Sequence, residues 1–262
     1  KRFFFENNEK LLSEGVRISE IYTAQPLRSA CKCCKAPIGQ VAFTKQGIDY
    51  HLCKNCGHLN GSHEDTDEFC AALYTKDGGL ITAQNYRTTD REAYNRRVEE
   101  IYLPKVTFLR DSLLEIGVEP SDYKYADFGA GSGYLVAAMR QVGWKNSKGY
   151  EVSSTQVRLA NEMIATGAVF QHGLDDIISL AGRIDADVIS MIGVLEHLQN
   201  PRDVLSAIQG NEKIKYLYIS VPLFSPCVFF ELAFPKVFQR HLSAGHTHLF
   251  TESSLDWLSR EF

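Results

Sequence analysis

The stretch Lys124-Tyr125-Ala126-Asp127-Phe128-Gly129-Ala130-Gly131-Ser132-Gly133 decides how this 262-residue chain is read. Its first half is a short strand. Its second half is a glycine turn that runs into a helix through Leu135-Val136-Ala137-Ala138-Met139. Glycines in such a turn let the backbone bend sharply and let a ligand come close to the main chain. The helix that follows offers free N–H groups to a negatively charged ligand group. Working outward, strand-like segments at 147–152, 168–171, 186–191 and 216–221 alternate with helical patterns. That alternation predicts an α/β fold with a doubly wound parallel sheet and helices on both faces. Glu151 falls at the end of the second strand, where an acid can accept both hydroxyls of a ribose; the plainer reading is a solvent-exposed strand-end carboxylate.

The N-terminal third has a different chemistry. Five of the seven cysteines, Cys31, Cys33, Cys34, Cys53 and Cys56, fall within 26 residues. An odd, clustered set argues against a secreted disulfide framework. Cys31-x2-Cys34 and Cys53-x2-Cys56, eighteen residues apart, match the two-knuckle zinc pattern. Each short turn aims two thiolates at one point, and four thiolates close a tetrahedron, so Zn²⁺ here is expected to be structural. Gly57 suits a knuckle position with φ > 0. Residues 40–43 and 50–52 are the expected strands of a small zinc ribbon, with Cys33 pointing away and His51 and His58 exposed in loops. The metal would supply much of the stability of so small a module.

Composition bounds the function. Lys plus Arg is 28 and Asp plus Glu is 32, a formal net charge of −4. Residues 1–120 carry 16 basic and 17 acidic side chains, and residues 121–262 carry 12 and 15. No surplus of cations is present to track phosphates, which disfavours a dedicated nucleic-acid binder. No apolar run reaches the ~18 residues of a membrane span. The apolar segment 216–238 is interrupted by Pro222, Pro226 and Pro235 and is read as a buried strand plus a hydrophobic wall. The chain does not begin with Met and is expected to be part of a longer protein. Cytoplasmic residence is expected.

The expected organisation is an N-terminal segment over 1–70 with the ribbon core at about 28–60, a helical linker over 71–120, and the α/β domain over 121–262. Residues 63–70 form an acidic run read as solvated, and Asp77-Gly78-Gly79 reads as a turn. From Asp90 the pattern is helical, with Pro104 as a break or kink and Gly117 and Pro120 as the stop. Tyr86 and Tyr94 are expected to pack with their hydroxyls at the surface, a substrate role being the alternative.

Three details narrow the glycine loop. Its spacing is Gly-x-Gly-x-Gly. Asp127 stands two residues before the first glycine. The segment 186–191 runs into Ile192-Gly193-Val194-Leu195-Glu196-His197-Leu198-Gln199-Asn200-Pro201. Together these resemble the Rossmann-like class I S-adenosylmethionine-dependent methyltransferases over about residues 120–262, and the segment after the fourth strand is similar to that of ubiquinone-type O-methyltransferases and sugar methyltransferases. A four-cysteine ribbon ahead of this domain resembles the sugar C-methyltransferases that act on nucleotide-linked keto-deoxysugars. That family usually carries a further C-terminal domain. The helical pattern after Thr251 corresponds to the helix between the fifth and sixth strands, so the last two strands of a seven-stranded sheet are expected beyond Phe262.

The resemblance implies S-adenosyl-L-methionine as cofactor. Gly129, Ala130, Gly131 and Gly133 would pass under its methionine part, and Gly193 would border it. Asp127 would brace the loop or reach the cofactor's amino group through water. Glu151 would take the ribose. Asp175 or Asp176 would contact the adenine edge, or cap the next helix.

Methyl transfer asks the protein for alignment, exclusion of water and a base for the acceptor. His197 is the expected base, since imidazole titrates near neutrality; alternatively it only positions its loop. His241, His246 and His248 form a second cluster, expected to close over the acceptor, with a metal site on His246-x-His248 as the alternative. Phe224, Phe229, Phe230, Phe234 and Phe238 would make a lid or acceptor pocket, or else ordinary core or a dimer contact. The expected acceptor is a small molecule, with a nucleotide-linked sugar or polysaccharide precursor favoured. An RNA methyltransferase, a non-catalytic zinc-ribbon adaptor and a nicotinamide-dependent enzyme are the competing readings.

Overall fold

The computed structural model describes residues 8–74, 90–234, 236, 242 and 246–262. Tyr86, the Asp77-Gly78-Gly79 turn, Pro235, Phe238 and His241 lie outside the described residues. The chain forms two compact units that do not follow the linear division expected. One comprises Lys1–Leu73, Leu195–Arg202 and Val221–Phe262; the other comprises Tyr74–Val194 and Asp203–Ser220. The C-terminal segment thus belongs with the cysteine module, because one of its strands completes that module's sheet.

In the first unit, β1 (Phe43–Lys45), β2 (Ile48–Leu52) and β3 (Leu59–Gly61) form an antiparallel meander. A later strand, His248–Leu249, pairs antiparallel with β3, setting Asn60 opposite His248 and Leu59 opposite Leu249. The final helix, Glu252–Glu261, starts from a capping box in which Thr251 and Ser254 exchange side-chain and backbone bonds. The acidic run at 63–70 is solvated only in part: Asp67 and Glu68 are exposed, but Asp65 is not. Asp65 is buried, paired with Arg28 at 3.0 Å and with Lys32, and accepts from Thr247 Oγ1 at 2.6 Å. Burial alone would raise the Asp65 pKa, but the two cations hold it below the usual carboxylate range.

The second unit is built on a five-stranded sheet. Its members are β4 (Tyr125–Phe128), β5 (Ser147–Glu151), β6 (Val169–Gln171), β7 (Val188–Ile192) and β8 (Tyr216–Ser220), in the order β6-β5-β4-β7-β8 and all parallel. Tyr125 and Val188 pack with the helices Leu103–Glu115 and Tyr134–Gln141 in one apolar core. Side chains alternate along a strand, so the equally buried Ala126, Phe128, Ile189 and Met191 face the other way. Both faces are therefore covered, as a parallel sheet requires.

Pro104 marks an interruption of the regular α-helix rather than its end. It sits in the first turn of Leu103–Glu115, and the five residues before that helix, Val98–Tyr102, wind as a π-helix. The wider turn absorbs the carbonyl that proline cannot serve. Tyr94 is buried and its hydroxyl donates to Ser132 O at 3.0 Å, which corrects the surface placement expected for it. Among the described residues no helix is long and apolar enough to cross a membrane.

Candidate functional site

The strand order reverses at β4, where neighbours lie on either side, and open parallel sheets bind ligands outside the strand ends at such a point. The glycine loop starts there. Gly129 and Ala130 donate their N–H groups to Tyr150 O at 2.8 and 2.9 Å, and Gly131 donates to Glu151 Oε2 at 2.8 Å. Ser153 N–H donates to the other carboxylate oxygen, also at 2.8 Å. Glu151 is thus buried rather than solvent-exposed. A carboxylate has roughly four acceptor sites, so these two bonds leave about two of them over.

The backbone explains the glycines. Gly129 has φ +75°, and a Cβ there would stand 2.5 Å from Val194 Cγ2. Gly131 has φ +53°, and a Cβ there would meet only Gln156 Oε1, at 3.1 Å. A side chain at Gly131 would be strained by the left-handed backbone and would press on Gln156. Gly193 and Val194 follow β7, and Gly193 N–H donates to Ser220 O at 2.7 Å. Gly133 precedes the first turn of the Tyr134–Gln141 helix, and Ala130 packs with Val136, Ala160 and Val169.

Asp127 is buried, and Ser190 Oγ donates to its Oδ1 at 2.8 Å. Burial, with the Glu151 charge adding to it, pushes its carboxyl up to about 7. Ser190 carried no signal in the sequence; it reaches Asp127 only because β4 and β7 place the two opposite each other in register. Asp175 is exposed in the turn ahead of the helix Ile177–Ala181, and Asp176 occupies the N-cap of that helix without a side-chain cap bond.

In the other unit, one sulfur from each of Cys31, Cys34, Cys53 and Cys56 lies within 4.8 Å of the others. Cys31 Sγ and Cys56 Sγ are 3.7 Å apart, and Cys34 Sγ and Cys53 Sγ 3.5 Å. Four thiolates at the usual Zn–S length of ~2.3 Å would be about 3.8 Å from one another in a tetrahedron. The donor set therefore fits a tetrahedral ion. The two knuckles are built alike: Lys35 N–H donates to Cys31 O and Gly57 N–H to Cys53 O, with φ of +62° and +75°. Cys33 is buried against Ser254 O and is not one of the four.

The histidines are sorted differently from the expectation. His58 is fully buried, and its Nε2 shares a hydrogen bond of 2.9 Å with His248 Nδ1. Burial pushes His58 down to about 3 and His248 well below its usual value, so the pair is uncharged. His51 is also buried, bonded to Gly39 O and Ser62 Oγ. His246 parts from His248 and faces His197, with ring centroids 4.9 Å apart. Glu196 completes this group, and its burial pushes the carboxyl up to about 7. Glu196 was legible only as the neighbour of His197. Phe229, Phe230 and Phe234 are exposed rather than part of a core.

A parallel sheet of this order, with a glycine loop after the central strand and an acid at the end of the next, defines the Rossmann-like class I methyltransferase fold. A family model described as a methyltransferase domain matches residues 72–262, and the chain belongs to that family. It is a class I S-adenosylmethionine-dependent methyltransferase. Solved structures similar to it include the plantazolicin methyltransferase BpumL in complex with SAH, at 16% identity over 66% of this chain and 69% of that one, TM-score 0.46. Another is a possible histamine N-methyltransferase from Thermotoga maritima, at 14% identity over 65% and 75%, TM-score 0.41. A third is magnesium protoporphyrin IX methyltransferase from Synechocystis PCC 6803 with bound SAH, at 15% identity over 65% and 82%, TM-score 0.45. No curated protein sequence matches the chain.

Proposed function

We propose that this methyltransferase acts on a small-molecule acceptor of the nucleotide-linked sugar class, in the cytoplasm, with a structural Zn²⁺ on Cys31, Cys34, Cys53 and Cys56. The observation that carries the small acceptor is the charge: both halves of the sequence are slightly acidic, which leaves no cationic track for a polynucleotide. The four-cysteine module ahead of the methyltransferase domain supports a nucleotide-linked keto-deoxysugar, by its likeness to the sugar C-methyltransferases. Sulfur spacing supports the zinc, and clustered thiols suit a reducing compartment.

The bound cofactor supplies a methyl group already activated on a sulfonium. The chain's own residues hold and orient it: Gly129, Ala130, Gly131 and Gly133 by their backbone, Glu151 by its two remaining acceptor positions, Asp127 by its carboxyl, with Gly193 bordering and Asp175 reaching the adenine. His197 takes the acceptor's proton, from a hydroxyl or from a carbon beside a ketone, and His246 closes on the acceptor. Titration with S-adenosylhomocysteine by calorimetry, with NADH as control, tests the cofactor site. Transfer of labelled methyl from S-adenosylmethionine to a nucleoside-diphosphate keto-deoxysugar, with RNA assayed in parallel, tests the acceptor. Labelling of RNA and not of the sugar would overturn the acceptor class.

A further inference from the structure

The four-thiolate set is closed, because all four positions around its ion are taken by protein. A second group of metal-binding side chains in the same unit has a different character. Glu196 is only 2% exposed, and its Oε2 has no hydrogen-bond partner. A buried carboxylate oxygen without a partner is costly, and each such atom calls for an explanation. Beside it stand the half-buried imidazoles of His197 and His246, their rings inclined at 37°. One carboxylate oxygen and one nitrogen from each ring lie within 4.8 Å of one another.

We propose that Glu196, His197 and His246 form a binding site for a divalent transition-metal cation. Two imidazoles and one carboxylate suit Zn²⁺, Co²⁺ or Mn²⁺, whereas Ca²⁺ and Mg²⁺ ask for oxygen donors in larger number. Ligand bonds of ~2.0–2.2 Å require the three donors to draw together, and two half-buried rings have room to turn. Three protein donors leave a coordination position open for water or an acceptor oxygen. The ion would answer the charge of the buried carboxylate. On the proposed reading that this group handles the acceptor, the bound ion would polarise the acceptor oxygen and acidify its hydroxyl, taking over the part of direct base from His197 while His197 and His246 hold it. The binding itself does not depend on that reading.

The test is made on the full chain with zinc already in the cysteine site. Titration with Co²⁺ should show one further equivalent bound, with visible d–d bands and no thiolate-to-cobalt band in the near ultraviolet. Glu196→Gln, which keeps the side chain's shape, and His246→Ala, at a partly exposed ring, should each weaken Co²⁺ binding at least about tenfold. Zinc content and circular dichroism should stay those of the parent chain. Absence of bound Co²⁺ in the zinc-loaded protein, a thiolate band as its only signal, or the parent's affinity retained in both variants would overturn the proposal. Loss of the Co²⁺ site with methyl transfer retained would overturn the proposal while leaving the proposed function standing.

Discussion

The main-chain N–H of Gly131 donates to Glu151 Oε2 at 2.8 Å, tying the tip of the glycine loop to the end of the neighbouring strand. One carboxylate thereby both shapes the loop, through Gly131 and Ser153, and faces the place where a ribose is expected. Glu151→Ala leaves two N–H groups without their acceptor, at a cost of ~1–3 kcal/mol. Thermal unfolding should register that loss, and calorimetry should show S-adenosylhomocysteine binding weakened by at least about tenfold, counting two ribose bonds at ~1 kcal/mol each. Unchanged affinity would separate the acid from the cofactor.

Gly131→Arg should abolish cofactor binding altogether. The backbone there is left-handed, and the new side chain would press on Gln156 and crowd the loop that is proposed to hold the cofactor. Retained affinity in a folded variant would refute the loop assignment.

On the role proposed for Asp127, cofactor binding should depend on pH. Its carboxyl is pushed up to about 7, so it is neutral below that pH and charged above. The cofactor's ammonium favours the charged form, so affinity should fall as pH drops through 7, and Asp127→Asn should flatten the profile. The sign for folding is opposite. Between 3.8 and about 7 the folded chain keeps a proton that the unfolded chain has released, so this residue lowers stability as pH rises through that window. A pH series of urea unfolding, parent against Asp127→Asn, reads the difference.

Asp65 joins Arg28, Lys32 and Thr247, which lie far apart in the chain. Asp65→Ala would leave two cations with no buried counter-charge, and such losses cost ~3–5 kcal/mol. Because its pKa is held down, its contribution is present above about 4 and is lost as pH falls through the lower folded-state value. A variant as stable as the parent in urea would remove this network from the fold's support.

Cys53→Ser should release zinc and unfold the cysteine module, since a structural ion contributes folding free energy directly. Metal analysis with circular dichroism decides it; unchanged zinc content would sink the four-cysteine assignment.

Much of this could be read along the chain. The strand-turn-helix around Asp127 to Gly133 and the Thr251 cap are short-range patterns, and each is observed where the residues placed it. The partners of histidine were not legible. His248 was grouped with His246 by spacing, yet it pairs with His58, 190 residues away. A strand only two residues long, His248–Leu249, carries too little periodicity to be seen. Phe229, Phe230 and Phe234 are exposed, which removes the ordinary-core alternative; apolar composition alone does not separate a buried phenylalanine from an exposed one.

The sequence by itself determined the local devices: a glycine loop that only left-handed backbone permits, and two cysteine knuckles whose short spacing aims each pair of thiols at one point. Both depend on residues within a few positions of one another, where chain geometry leaves little choice. Tertiary structure alone decided which distant groups meet. Gly131 found Glu151, Asp127 found Ser190, and Asp65 found Thr247, because strand register and burial, which act across long stretches of chain, set those distances. The group of Glu196, His197 and His246 is of the same kind: two neighbours in sequence completed by a histidine from a remote segment that strand pairing holds in the same unit.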